Sequence, residues 1–461
     1  MKSQLLSAMV FYAALPNCLS FAQTGSNQLP VGNGVVDDTA AIQAAVDAPV
    51  GSLRFSRGVF KLTKPIVIDL DRVGWTSIHG DGVARFEMHG PGPAFRFVGT
   101  HEGTENPSTV KPNVWQRQST PMIDGIEITG KHPEADGIEA DGTMQLTITR
   151  VVVRKARHAI RLTGRNRNVI IGQCHLYENS GIGVFLDQLN LHQINIANCH
   201  ISYNQGGGLV SRESEIRNLQ IGTCDIEGNH GGEGMPPTAN VLLDSSDASV
   251  AEVAIVGCTI QHTHEGDQSA NIRIMGIPEP RSFTTATRVG NVTIANNVLS
   301  DAQFNIDLAH VRGIAITGNT MWKGYEANLK ADDCREIVLT GNVYDRNPRY
   351  HYGDGSDAKL GVILERCQNL TLNGETFQGL VHRDAVVSLK DCESTAIRGC
   401  QFSGFEGAAM RLEAMRFSSI SDCLISGIGD ESTDIIQVGE NDVQLANNRF
   451  RRVRSTPNDA R

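Results

Sequence analysis

Along most of this chain apolar and polar residues alternate with a period of two, in short segments such as "GIEAD", "AIRLT", "NVLLD", "NIRIM", "NIDLA", "NLKAD", "VVSLK" and "AMRLE". That period predicts strands with one buried side. Between these segments a second pattern recurs: apolar, two variable residues, a small or polar residue, one variable residue, apolar. Its fourth position is Ile126, Val151, Cys174, Cys199, Cys224, Cys258, Asn297, Asn319, Asn342, Glu375, Cys400, Cys423 and Asn448. Most steps are 22 to 25 residues, and three are longer, at 34, 39 and 33. Two or three short strands per repeat of that length predict an all-β right-handed parallel β-helix of about 13 coils. The regular coils cover residues 120–450.

Like residues run in blocks at the fourth position, as expected where each coil stacks on the last. A second column holds Leu191, Ile216, Val250, Val289, Val311, Cys334, Cys367, Cys392 and Met415. Cysteine there shares its slot with aliphatic residues, so the thiols read as small buried hydrophobes. A disulfide is the weaker reading, because stacked side chains run parallel and nine cysteines remain after a leader. A zinc-type site would need convergent ligands, not a column. The long steps place insertions at 231–239, 262–288 and 345–359, and a further loop covers 99–120; loops of this length are usually functional.

The segment "GNGVVDDTAAIQAAVD" departs from the strand rhythm. Asp37 or Asp38 would cap a short helix with Ile42 and Val46 on one face, closing the open end of the stack. These residues, followed by "LRFSRGVFKL" and by "IHGDG" from Ile78 to Gly82, resemble the opening of the pectate-lyase-like superfamily of β-helix proteins. The motif covers residues 32–82. The resemblance implies the fold and a choice of polysaccharide lyase, polygalacturonase-type hydrolase, uronan epimerase or phage tailspike. "EADGIE" is similar to a polygalacturonase element and would make Asp136 catalytic, but the next coil carries Arg157-His158 instead of paired aspartates. A turn before a strand explains Asp-Gly-Ile better.

The first 22 residues have one Lys, an apolar run from Leu5 to Leu15 and small residues at Ser20 and Ala22, the form of a cleavable secretory leader. The remainder, 23–461, reads as one secreted or periplasmic domain with no stretch able to span a membrane. A net charge of −10 excludes a nucleic-acid partner and leaves a polysaccharide as the expected one.

Aligned on their second strands, the middle coils carry three polar columns. The first is Asn240, Asn271, Asn305 and Asn328; the second is Arg273, Asp307 and Lys330; the third is Asp244, Asp332 and then Glu365. Read as outward-facing and walled by two insertions, they form the place for an extended polymer on an otherwise plain surface, where the second column holds residues such as Gly183, Ile363 and Ser388. For β-elimination of an acidic polymer Arg273 would hold the uronate carboxylate, with Lys330, His310 or Tyr325 as base. For inverting hydrolysis Asp307 and Asp332 would act together, their Cα atoms about 8 Å apart. The same charges also read as an exposed ladder contributing under about 1 kcal/mol per pair, on a protein that binds glycans without cleaving them. No cofactor is required; "GDGSD" from Gly353 to Asp357 has the composition of a calcium loop. His262 and His264 offer metal ligands without a third histidine nearby. Trp115, Trp322, Tyr350 and Tyr352 join Tyr325 as candidate sugar-stacking rings.

Overall fold

The computed structural model describes residues 29–232, 234–246, 248–277, 290–345, 361–380 and 384–453. The predicted leader and the "GDGSD" segment, with Tyr350 and Tyr352, lie outside the described residues. From Asn33 to Val453 the strands pair in parallel, each with the equivalent strand one coil earlier and one coil later. Every coil contributes to three faces. In the middle of the stack the first face contains Ala239–Asp244, Ala270–Met275, Ala302–Ala309 and Gly324–Asp332. The second contains Ser249–Val256, Gly290–Ala295, Arg312–Thr317 and Arg335–Thr340. The third is short, with Asp225–Glu227, Thr259–Gln261, Val298–Leu299 and Thr320–Met321.

Alternation puts every second residue inside, and stacking turns those residues into columns. Ile226, Ile260, Leu299 and Met321 are register partners and all are buried. The corner between second and third faces turns through a single left-handed residue per coil, among them Asn198, Thr223, Gly257 and Asn296. Asn and Gly tolerate that conformation better than other residues, which is why they recur at this position. Just after the corner comes the repeat's fourth position. All nine cysteines among the described residues are free and buried. Cys258 passes into an amide ladder: its N–H donates to Asn297 Oδ1 at 2.9 Å, and the side chains of Asn297, Asn319 and Asn342 bond onward at 3.0 Å.

Helix Thr39–Asp47 covers the N-terminal end, with Ile42 and Val46 buried against the first coil. Asp37 accepts the Thr39 N–H at 3.0 Å, whereas Asp38 accepts from the Val31 and Gly32 N–H groups and so fastens the strand entering the helix.

This amide ladder ends on an acid. Glu375 is fully buried and accepts the Asn342 side-chain N–H at 3.0 Å. Burial pushes its carboxyl up from 4.5 to about 7, against the pull of the Asn342 bonds. The folded state therefore holds a proton that the unfolded chain releases, so this contribution is whole below pH 4.5 and disappears as pH rises through about 7. The shift corresponds to about 3 kcal/mol. We expect Glu375→Gln to be more stable than the parent above pH 7 by up to that amount and to gain nothing at pH 4, as read by urea denaturation at both pH values.

Candidate functional site

The register on the first face brings the charged column together. Leu242 pairs with Arg273, Arg273 with Asp307, and Asp307 with Lys330. A pocket of about 430 Å³ opens over these coils, lined by Arg212, Pro237, Asp244, Gln268, Arg273, Asp307, Lys330 and Asp332. Pro237 lies between Asp225–Glu227 and Ala239–Asp244, and Gln268 between Thr259–Gln261 and Ala270–Met275, so both leave the stack at the corner between third and first faces. The insertion expected at 262–288 is itself divided by the first-face strand Ala270–Met275.

Within the pocket the charges are unequally committed. Arg273 is largely buried; its Nε donates to Asp307 Oδ2 at 2.8 Å and its Nη2 to the Gln268 carbonyl at 2.5 Å. The guanidinium is thus fixed between the strand and the loop root. Asp332 is taken by Arg366, from the corner of the next coil. Lys330 makes no ion pair among the described residues; its ammonium lies 5.6 Å from the centre of the Phe304 ring. The lysine predicted to sit against Asp307 instead lies over an aromatic face, because Arg273 occupies that carboxylate. Asp244 caps its own turn, accepting Ser246 Oγ at 2.7 Å. In its column Met275 and Ala309 intervene before Asp332 and Glu365. Asp244 and Asp332 are therefore three coil steps apart, about 14 Å.

Several expectations change. Asn240, Asn271, Asn305 and Asn328 do not face outward: all four are fully buried. They continue a ladder begun by Asn179, Asn204 and Asn229, in which successive side-chain amides bond at 2.7 to 2.9 Å. Asn240, Asn271 and Asn305 also donate to backbone carbonyls, as Asn271 does to Ser300 at 2.8 Å, whereas the Asn328 amide nitrogen is buried without an acceptor among the described residues. Their place is at a corner, where the turning chain points an otherwise outward residue into the stack. They hold the coils of the site in register and cannot touch a polymer. His310 and Tyr325 do not line the pocket: His310 Nδ1 is 3.0 Å from Asp333 at another corner, and Tyr325 stacks on His264 at 5.1 Å.

The second column holds Phe185, not Gly183, because Arg161 pairs with Phe185 and Phe185 with Val210. Nor is the rest of the face plain. Earlier in the same column Glu139 bridges Arg96 at 2.9 Å and Arg161 at 3.0 Å, and Arg161 reaches Asp187 at 2.6 Å. Arg212, absent from the predicted columns, also lines the pocket; its strand "GGLVSR" follows the same alternation and pairs Ser211 with Leu243. Asp136 is buried and fully used: both oxygens take Arg157, at 2.9 and 2.7 Å, and one also takes the His158 N–H at 3.0 Å. Its role is to tie two coils together.

Metal ligation finds little support. His262 lies 3.5 Å from Asp301 and 4.0 Å from Glu227, while His264 belongs to the ring pair with Tyr325. Among the described residues no group of three His, Cys, Asp or Glu side chains is placed to hold a metal ion.

We expect Asn271→Ala to cost about 1–3 kcal/mol, the range for leaving buried polar partners unpaired. Denaturant unfolding should report that loss, while the affinity of the folded variant for a bound glycan stays at the parental value.

Comparison with known proteins agrees with this architecture. Residues 114–260 match the family described as right-handed beta helix region, and residues 239–460 match the family described as periplasmic copper-binding protein (NosD). The copper of that second family has no counterpart among the side chains described above, since the cysteines are buried in the core. No curated protein matches the chain. Among solved structures, the Dettilon tailspike protein gp208 is 16% identical with a TM-score of 0.53, over 84% of this chain and 66% of that one. A mutant tailspike of E. coli bacteriophage HK620, in complex with a pentasaccharide, is 11% identical with a TM-score of 0.51, over 91% and 76%. The pre-mature gene product 12 of bacteriophage phi29 is 14% identical with a TM-score of 0.50, over 92% of this chain and 56% of that one. No helix among the described residues is long and apolar enough to cross a membrane. At such identities the likeness speaks to fold alone, and it agrees with the coil register: the chain folds as a right-handed parallel β-helix.

Proposed function

We propose that this is an exported protein that binds an acidic polysaccharide across its first face and cleaves it by β-elimination. Export is supported by the leader-like first 22 residues and by the match to a family described as periplasmic. A glycan partner is supported by the loop-walled polar pocket and by the oligosaccharide bound to a structural neighbour.

One observation carries the choice of reaction: both candidate carboxylates are engaged by guanidinium groups, while the pocket cations Lys330 and Arg212 have no anionic partner among the described residues. An inverting hydrolase needs one carboxyl to give a proton and another to activate water. Asp307 and Asp332 are each engaged elsewhere. Elimination needs a base and a cation near the uronate carboxylate. Arg273, held rigid by Asp307 and Gln268, supplies the cation. Lys330 supplies the base, as a pocket amine that no carboxylate among the described residues engages. In that step the proton beside the carboxylate passes to Nζ and its electron pair forms the new carbon–carbon double bond. The bond to the leaving oxygen breaks, and that oxygen takes a proton from water.

Purified mature protein should release products absorbing in the ultraviolet from one member of a uronan panel. Lys330→Ala should lower turnover by at least about 100-fold, the scale of general-base catalysis. Arg273→Ala should lower it further, and Asp332→Asn should have a mild effect. Depolymerisation without new absorbance, abolished by Asp332→Asn, would favour hydrolysis. Binding without cleavage would leave a glycan-binding protein.

A further inference from the structure

Away from the first-face pocket, beneath the loop 99–118, lies a second cluster with unused donors. His101 is 1% exposed, and neither of its ring nitrogens has a hydrogen-bond partner. Arg165 and Arg167 stand two residues apart on Ile160–Gly172, and the Nε of each is likewise buried without a partner. The arginines are otherwise anchored: Arg167 Nη1 donates to the Thr104 carbonyl at 2.7 Å, which brings its guanidinium under the loop three residues from His101. Arg165 is bonded to Asn190. The backbone fixes the stack below, with the His101 N–H on the Gly142 carbonyl at 2.9 Å and the Arg167 N–H on the Thr143 carbonyl at 3.0 Å. Val110 and Val114 pack on Met144 in a small separate apolar cluster, pinning the loop over the site.

Buried N–H groups without an acceptor are rare, and several in one place indicate a missing acceptor. A neutral acceptor would satisfy the bonds and leave the charge. The Arg165 guanidinium has Glu105, an exposed residue, as its acidic neighbour. Burial holds Arg165 below its usual value with Glu105 opposing, and the His101 imidazole is held down to about 4 by burial and then by Arg165 and Arg167. At neutral pH the ring is therefore an uncharged donor beside two cations.

We propose that His101, Arg165 and Arg167 form an oxyanion-binding site under the loop 99–118. It would take a carboxylate of an acidic glycan or a free phosphate, since both offer several acceptor oxygens and negative charge to forked guanidinium donors.

The test is thermal unfolding of the mature protein at pH 7 in sodium chloride, sodium phosphate and sodium galacturonate at matched ionic strength. Phosphate or galacturonate should raise the Tm above that in chloride, and in an Arg273→Ala background, where the first-face pocket lacks its carboxylate-holding cation, the rise should vanish on adding His101→Phe or Arg167→Met. A rise with galacturonate alone assigns the site to a glycan carboxylate, and a rise with phosphate alone assigns it to phosphate. Arg273→Ala should keep the rise, which separates this site from the first-face pocket. Arg165→Gln, at a partly buried position, gives the same readout if Arg167→Met does not fold. The absence of any rise over chloride, or a rise that survives both substitutions, would overturn the proposal.

Discussion

Everything in this protein depends on parallel strands stacking in register, one coil about 4.8 Å above the next. Under that constraint a residue's nearest neighbours are its equivalents one repeat away. A position is acceptable when its side chain is compatible with a copy of itself. Aliphatic residues meet that condition by packing. Cysteine meets it as a small hydrophobe, and asparagine by donating to one neighbour and accepting from the other. The run from Asn179 to Asn328 is the polar form of the same solution, and it lets a fully buried column remain hydrogen-bonded.

The constraint also explains where chemistry can sit. Outward positions on a face are free to vary from coil to coil, so a local run such as Arg273, Asp307 and Lys330 can differ from the coils around it. Insertions can leave only at corners, where they interrupt no ladder. The segments leading into Ala239–Asp244 and into Ala270–Met275 both depart from the corner that borders the first face, and so contribute Pro237 and Gln268 to one pocket wall. The buried amide ladder beneath that corner holds the strands at fixed spacing. The pocket is therefore built on a rigid floor with one wall of loop.

How much of this is legible in the chain follows from the same geometry. The period of two and the repeated fourth position are sufficient for the fold, because they are local patterns multiplied by stacking. Ile42 and Val46 mark the capping helix for the same reason. The pairing of Arg273 with Asp307 and Lys330 also follows once the repeats are aligned. What escapes is whatever happens at corners. Asn240 precedes the inward Val241, so strict alternation points it outward, yet the chain turns there and buries it. Aligning the column on Gly183 misses Phe185 by two positions, a shift that leaves alternation intact and so leaves no trace in the pattern. The long-side-chain choices are equally invisible: that Asp307 takes Arg273 while Lys330 lies over Phe304 depends on rotamers. Buried donors such as those of His101 are legible only once the loop above them has a position.

The central claim is that the first-face pocket cleaves an acidic polysaccharide by elimination, with Lys330 as the base. The most direct measurement is mass spectrometry of the products after incubating the protein with a susceptible uronan in water enriched in oxygen-18. Elimination adds no water, so the account predicts unsaturated oligosaccharides lighter than the hydrolytic fragments by one water and free of label at the cleaved ends. Saturated fragments carrying oxygen-18 at their new ends would contradict it.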